Sequence, residues 1–345
     1  MRRFEGFQKG INLGGWLSQC VSYDEKHFKT FITEEDIATI ASYGLDHVRV
    51  PIDYDVFMKE TKGQDVVNEE GMSRIEDCIQ WCKNHGLNMV LDLHKAKGYM
   101  FDTQAVPDAD AFFKDPILWE AFYETWEMLA ERFGKHNKML AFEILNEVVN
   151  PDYESKWNEI ATETIKRIRR IAPDSYILVG GVNYNSVLKV SGISVPYDEK
   201  IVYNFHCYEP MCFTHQNAHW MDEMKGFKMN YPEPLDVLRA KTEEINKCKV
   251  GSIFDKCLDG EGKFFDKLFA QAVEFAKEKN VPLYCGEYGV IDQAPVDGTL
   301  CWVKEIHEAF EKYGIGRALW NYKNKDFGLR DEHYAPICKE MIAVL

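Results

Sequence analysis

The 345-residue sequence lacks the features that mark several classes of protein. Its formal net charge is −15 and no cluster of lysines and arginines occurs, so nucleic-acid binding, which rests on such clusters, is not expected. No run of about 18 apolar residues is present, so no membrane-spanning helix is predicted. The first ten residues carry two arginines but no apolar segment, which is atypical of a signal peptide and predicts a cytoplasmic protein.

Cysteine pairs and glycine-rich loops of the kinds that bind metals and nucleotides are also missing. The ten cysteines include no CxxC pair, which argues against a zinc ribbon and against a disulfide framework. We therefore expect mostly buried, reduced thiols. The segment Gly10–Gly15 has neither GxGxxG nor P-loop spacing, so a nucleotide-binding fold is not favoured and no cofactor is predicted.

Short apolar runs alternate with longer amphipathic segments along the whole chain. The eight runs that we predict as strands are Gly10–Gly14, Asp46–Val50, Asn88–Leu93, Met139–Leu145, Ser175–Gly180, Lys200–Phe205, Val281–Cys285 and Arg317–Asn321. Strands that alternate with helices form right-handed βαβ units and a parallel sheet. Eight such units predict a (β/α)₈ barrel, with residues 1–345 as one catalytic domain.

One connection is longer than the others. About 75 residues separate the run that ends at Phe205 from the run that begins at Val281. Long connections within a domain are often binding loops or lids. Residues 209–262 are therefore expected to form a small, lid-like subdomain inserted after the sixth strand.

Polar or aromatic side chains follow most of the predicted strands. In a (β/α)₈ barrel the reacting groups lie where strands end, so these residues are the candidates for an active site. They are Arg49, His94, Asn146, Glu147, His206, Tyr208, Glu287 and Trp320. Together they offer two carboxylates, basic and phenolic neighbours, and an aromatic platform.

Glu147 and Glu287 supply what the cleavage of a glycosidic bond requires. One carboxylic acid protonates the leaving oxygen, and a second carboxylate attacks the sugar or directs water. Different environments separate the pKa values of such a pair. An arginine near Glu287 would keep that residue ionised as the nucleophile, whereas a more desolvated Glu147 would stay protonated as the acid.

Four motifs give the sequence a clear resemblance to a known family. They are Ile144-Leu145-Asn146-Glu147, Tyr284-Cys285-Gly286-Glu287-Tyr288-Gly289, His206-Cys207-Tyr208 and Leu319-Trp320-Asn321-Tyr322. They resemble glycoside hydrolase family 5, the cellulase-like retaining enzymes, which include a clostridial endoglucanase C group and exo-acting β-mannosidase-like members. The resemblance extends from Lys9 to the last strand.

The resemblance implies a role for each matching residue, with Glu147 as acid/base and Glu287 as nucleophile. The other matching residues would bind the sugar or hold the pair: Asn146 at the 2-hydroxyl, Arg49 and Tyr208 on Glu287, His206 on Glu147, His94 at sugar hydroxyls, and Trp320 beneath the sugar at the cleavage point. Trp16, just past the first strand, is a further candidate for a sugar-binding subsite.

Lys95 marks a departure from the family pattern, because many endo-acting members have a second histidine there. An ammonium group alters hydrogen bonding to sugar hydroxyls, and we expect Lys95 to contact substrate. Lys95 and Lys97 could alternatively bind a charged group of the substrate. The His-Lys pair and the missing signal favour a retaining exo-β-mannosidase that cleaves β-1,4-linked hexosides in short soluble oligosaccharides, with endo-β-1,4-glucanase as the alternative.

Two other classes of function are less favoured. One is a metal-dependent barrel hydrolase, which would use His94, His206 and a carboxylate. The other is a non-catalytic protein that binds carbohydrate on an enzyme scaffold without cleaving it. His215 and His219 have the i,i+4 spacing of zinc ligands, but the general base and a third ligand are missing, so no metal is predicted. We expect His215 to line the lid and to touch substrate. No feature of the sequence indicates an oligomeric state.

Overall fold

Eight short strands form the centre of the computed structural model, which describes residues 1–102, 108, 110–245 and 262–345. The strands are β1 (Lys9–Asn12), β2 (His47–Asp53), β3 (Asn88–Ala96), β4 (Leu140–Glu143), β5 (Tyr176–Gly180), β6 (Ile201–Cys207), β7 (Leu283–Tyr288) and β8 (Gly316–Leu319). Each coincides with one of the predicted runs to within a few residues.

All eight strands are parallel, and each pairs with its neighbours in the chain. Strand β8 pairs back onto β1, with Ile11 opposite Leu319 on one side and opposite Val48 on the other. The sheet of the eight described strands therefore closes on itself. The predicted (β/α)₈ barrel is confirmed.

Helices surround the barrel where the amphipathic segments were recognised. They are α1 (Glu34–Ser42), α2 (Glu69–His85), α3 (Pro116–Phe133), α4 (Glu154–Ile171), α5 (Leu235–Ile245), α6 (Phe264–Lys279), α7 (Val296–Tyr313) and α8 (Cys338–Val344), with short helical segments at Glu25–Thr30, Tyr54–Phe57 and Met211–Thr214. Local signals set their ends. The Asp115 side chain accepts the N–H of Ile117 at the start of α3, and Gly86 ends α2 at a φ of +72°.

The connection after β6 contains the segment predicted as an insertion. Its described part, residues 209–245, holds the short helix Met211–Thr214, a 3₁₀ turn at Asp222–Met224 and α5. Residues 246–261 of the predicted lid lie outside the described residues. A two-stranded hairpin, with Met58–Thr61 antiparallel to Gln64–Val67, follows β2 and was not predicted.

The inside of the barrel is divided into two layers. The lower layer, which we call the apolar plug, consists of Phe4, Phe7, Val90, Ala141, Leu178, Val202, Tyr284 and Ala318. The layer above it, which we call the polar layer, consists of Asn12, Arg49, Asp92, Glu143 and Asn204, all of them fully buried. Because side chains alternate along a strand, residues two apart on the same strand belong to successive layers.

Disulfides and membrane-spanning helices, neither of which the sequence predicts, can be assessed in the described part of the chain. Its eight cysteines form no disulfide, while Cys248 and Cys257 lie outside it. None of its helices is long and apolar enough to cross a membrane.

Candidate active site

Arg49, on β2, is the centre of the polar layer. Its guanidinium donates twice to Glu143, from Nε at 2.7 Å and from Nη2 at 2.8 Å, and Nη1 donates to Glu287 at 2.8 Å. A carboxylate oxygen of Asp92 lies 3.0 Å from Nη2. One buried cation is thus shared by three carboxylates, which come from β3, β4 and β7.

A single positive charge cannot neutralise three negative charges in a desolvated layer. Burial raises the pKa of Asp92 to about 8 and that of Glu143 to about 7, despite the opposing effect of Arg49. The polar layer therefore retains a proton near neutral pH. Asp92 and Glu143 lie one layer below the two glutamates that the sequence identified.

Glu287 accepts hydrogen bonds on both carboxylate oxygens. Arg49 Nη1 donates to Oε1, and the hydroxyl of Tyr208 donates to Oε2 at 2.9 Å. Bonds of this kind favour the charged form of a carboxylate and fix its orientation. The two residues expected to hold Glu287 are therefore in place.

Glu147 lies in a different environment. His206 Nδ1 lies 2.8 Å from Oε1 of Glu147. Burial, together with the charge of Glu287, raises the pKa of Glu147 well above its ordinary value. Burial also lowers the pKa of His206 well below its ordinary range, so the imidazole is neutral. Glu147 can thus keep the proton that a general acid must donate.

The two glutamates face each other closely enough to act on one bond. One oxygen of Glu147 and one oxygen of Glu287 lie within 4.8 Å of each other, and a ring nitrogen of His206 lies within the same distance of both. Carboxyl groups about 5 to 5.5 Å apart are typical of retaining glycosidases, whereas inverting enzymes leave about 6.5 to 9.5 Å for water.

His94 and Trp320 form one wall of the site. Their rings are nearly parallel, with centroids 6.0 Å apart and planes inclined by 9°. His94 Nδ1 lies 2.7 Å from Asp92 Oδ2, which joins the wall to the polar layer. Asn146, beside Glu147, accepts from Arg49 at 3.0 Å. The structure therefore brings all eight strand-end candidates together.

Three other candidates have different surroundings. His215 is buried with its ring edge against Tyr208, at a centroid distance of 5.0 Å, so it flanks the residue that holds Glu287. His219 is exposed and lies 3.7 Å from Asp326, and the helix before it ends at Thr214, so the two histidines do not share a helical face. Lys95 forms an ion pair with Asp55 and does not join the other candidates.

Trp16 requires a correction. Its ring is fully buried, its indole N–H donates to the carbonyl of Phe28 at 2.8 Å, and it stacks on Trp81. A ring without exposed surface cannot stack on a sugar. Trp16 is a core residue, and the prediction of a subsite role was wrong because position after a strand does not reveal which way a side chain points.

The search at strand ends missed the residues inside the strands. Asp92, Glu143 and Asn204 lie one layer deeper than the strand-end candidates and connect to them through Arg49 and a bond of 2.8 Å from Asn204 to Glu143. The sequence does carry a signal for these residues. A polar residue within an apolar run, two positions before a polar strand-end residue, lies on the same inner face one layer deeper, as in Asp92-x-His94 and Asn204-x-His206.

Comparison with known proteins agrees with this geometry. The family model described as cellulase, glycosyl hydrolase family 5, matches residues 8–326. Endoglucanase C of Acetivibrio thermocellus is 37% identical over 98% of both chains, and Cellodextrinase A of Ruminococcus flavefaciens is 40% identical over 92% of this chain and 86% of its own. The solved structure of Thermotoga maritima Cel5A with mannotriose has a TM-score of 0.75 and 23% identity, covering 98% of this chain and 97% of its own, and shares the fold. The chain belongs to glycosyl hydrolase family 5.

Proposed function

We propose that this protein is a retaining β-1,4-glucanase that cleaves cello-oligosaccharides and soluble β-glucans. The observation that carries the chemistry is the close pair of Glu147 and Glu287, with a donor on each oxygen of Glu287 and a raised pKa at Glu147. The names of the two relatives support the substrate, since one is an endoglucanase and the other a cellodextrinase.

The mechanism follows from the two environments. Glu287 attacks the anomeric carbon while Glu147 gives its proton to the departing oxygen, so that the glycosidic bond breaks and a glycosyl ester forms on Glu287. Glu147, now ionised, then takes a proton from water, and the resulting hydroxide displaces Glu287 from the sugar. Two displacements restore the original anomeric configuration. We propose that Asn146, next to Glu147 in the chain, bonds the sugar 2-hydroxyl.

This proposal replaces the preference for an exo-β-mannosidase. That preference rested largely on Lys95, whose ammonium group pairs with Asp55 in the structure. Lys97 pairs in the same way with Asp65 of the hairpin, so both lysines have carboxylate partners within the protein. The relatives named above favour the endoglucanase alternative.

We further propose that the insertion contributes one wall of the cleft, beside Glu287. The rings of His215 and Trp220 approach to 6.1 Å, and Phe327 lies 5.5 Å from His215, so an aromatic group extends from Tyr208 to the surface. Trp220 is about half exposed and can offer a face to a sugar. In this proposal the aromatic surface of the described part of the insertion contacts the oligosaccharide beyond the catalytic pair.

The side chains of the catalytic pair and of His206 could also hold a divalent metal. Glu147, His206 and Glu287 are close enough to chelate an ion. The guanidinium of Arg49, 2.8 Å from Glu287, would repel a cation there. We propose a metal-independent reaction, and expect full activity after dialysis against EDTA.

Product analysis tests the proposal. Cello-oligosaccharides, manno-oligosaccharides and mannose-GlcNAc disaccharides would be digested in parallel, with products read by mass and the first-formed anomer by proton NMR. We expect cleavage of the cello-series with release of the β-anomer. Mannose as the one product would restore the exo-β-mannosidase, and release of the α-anomer would exclude the retaining mechanism. Absence of turnover on every substrate would indicate a carbohydrate-binding protein.

A further inference from the structure

Gln19, in the loop after β1, has a backbone conformation that its type rarely adopts. Its φ is +53°, in the left-handed region that favours glycine, although it carries a full side chain. Residues held in this region by their surroundings occur preferentially at functional sites. The strain alone does not identify a role, so the contacts of Gln19 decide what it does.

Both backbone polar groups of Gln19 are held from other parts of the chain. Its N–H donates to Asp53 Oδ2, at the end of β2, at a distance of 3.2 Å. Its carbonyl accepts from Lys325 Nζ, in the loop after β8, at 3.0 Å. A bridge between Leu17 and Ile52 joins the same loop to β2. Three elements at the barrel mouth thus fix the direction of the side chain.

The side chain of Gln19 reaches the wall of the active site. Its amide nitrogen lies 2.8 Å from His94 Nε2, the ring nitrogen that Asp92 leaves open. Burial lowers the pKa of His94 to about 4, so the ring is neutral and offers one donor and one acceptor. A glutamine amide can match either tautomer by turning over. In both cases its second polar group remains to bind something else, and Gln19 is partly exposed.

A polar edge continues from Gln19 toward the surface. Asp53 is fully buried and accepts from the hydroxyl of Tyr23, which is about half exposed. A side-chain amide and an exposed aromatic ring are groups that recognise a sugar, whose hydroxyls form hydrogen bonds and whose ring face stacks.

We propose that Gln19 is a specificity-determining contact for the second sugar on the non-reducing side of the cleaved bond, with Tyr23 as its neighbour. The first sugar occupies the wall formed by His94 and Trp320, and Gln19 stands on the far side of His94 from the polar layer. In the free enzyme the amide occupies His94 Nε2, and a bound sugar hydroxyl takes over that position. This inference rests on the proposed function, because it assumes a chain of β-linked glucose units.

The test compares two activated substrates that differ by one sugar. Gln19→Ala and Gln19→Gly would be assayed on dinitrophenyl β-glucoside and dinitrophenyl β-cellobioside. We expect kcat/KM for the cellobioside to fall about tenfold more than kcat/KM for the glucoside, the size of effect usual for one lost hydrogen bond to a polar ligand. An equal loss on both substrates would overturn the proposal and leave Gln19 as a support for His94. No loss on either would also overturn it.

A matched control separates the side chain from the backbone strain. Lys62 has a φ of +55° in the turn of the exposed hairpin and is itself exposed. Lys62→Gly should raise the Tm, because glycine adopts this conformation freely, whereas Gln19→Gly relieves the same strain but loses the bond to His94. Only the change at Gln19 should alter the ratio of the two substrates, and a change of that ratio in Lys62→Gly would contradict the inference. Failure of the unaltered enzyme on all cello-substrates would instead overturn the proposed function.

Discussion

The apolar plug and the polar layer are successive layers of one barrel, yet they have opposite chemistry. The plug is held by contacts such as the stack of Phe4 on Phe7, with centroids 4.1 Å apart. The polar layer is held by Arg49 and its carboxylates at 2.7 to 3.0 Å. Dispersion and burial stabilise the first, while the second gathers charges whose desolvation opposes folding. We therefore expect the plug to support the barrel and the layer above it to support the reaction.

The same strands supply both layers. Val90 and Asp92 lie two positions apart on β3, and Val202 and Asn204 lie two apart on β6. The side-chain period of two places an apolar group and a polar group on the same inner face, one above the other. Gly286 on β7 leaves room for this arrangement, because a Cβ there would lie 2.8 Å from the Asn204 side-chain oxygen.

The largest effect is expected at Glu287, above the polar layer. Glu287→Gln removes the proposed nucleophile but preserves the shape, so kcat should fall about 10⁴-fold or more while the Tm changes little. Activity on dinitrophenyl cellobioside and a thermal melt would measure both quantities. Glu60→Gln, on the exposed hairpin, is the control and should retain activity. A nearly active Glu287→Gln would remove Glu287 from the mechanism.

Arg49→Lys tests whether the polar layer also carries stability. Lysine cannot reproduce the two bonds to Glu143 and the bond to Glu287 at once, so buried carboxylates lose their partner. We expect a loss of about 3 kcal/mol in the free energy of unfolding and a fall of about 100-fold in kcat. Urea denaturation and steady-state kinetics would measure them.

Arg132→Lys is the control for that experiment, because Arg132 binds Glu76 on the exposed surface, at 2.9 Å, and such pairs contribute little. A loss of activity without a loss of stability in Arg49→Lys would show that the layer is not structural. The distinction between the two layers would then be complete.

Phe4→Ala tests the plug in the opposite direction. Phe4 is fully buried and packs against Phe7 and Tyr284 at the bottom of the barrel. Its removal should lower the free energy of unfolding by about 3 kcal/mol, since a large ring leaves a cavity. At temperatures where the variant is folded, kcat should remain close to that of the unaltered enzyme. A large change in kcat there would mean that the plug also positions the catalytic residues.

These two layers also show what the sequence could reveal. Strands, helices and the barrel followed from periodicity, because burial dictates the pattern of apolar residues. Glu147 and Glu287 followed because polar groups at the ends of buried strands need an explanation. The prediction for Trp16 was wrong, because the sequence does not distinguish a tryptophan buried in the core from one exposed in a cleft.

Long-range partners were beyond the sequence for a further physical reason. The bond between Gln19 and His94 joins residues 75 positions apart, and it depends on a left-handed backbone that no local pattern signals. The roles of Asp92 and Glu143 in the polar layer were not predicted, because an acidic residue within a strand appears only as a break in the apolar pattern. Only the closure of the barrel shows that Arg49 stands between them.

The smallest effect, a shift in pH dependence, tests whether the polar layer acts on the reaction through its charge. Burial and the charge of Glu287 raise the pKa of Glu147, and the charge of Glu143 adds to the rise. Glu143 has a pKa of about 7, so it is ionised on the alkaline side, where Glu147 loses its proton. In Glu143→Gln that negative charge is absent, and the ionised form of Glu147 becomes easier to reach. The pKa of Glu147 should fall, and the alkaline limb of kcat/KM should move to lower pH.

A pH profile on dinitrophenyl cellobioside, with Glu60→Gln as the control, would measure the shift. An unchanged or more alkaline limb would mean that the layer only holds Arg49 in position, and that the charge below the site does not set the acidity above it.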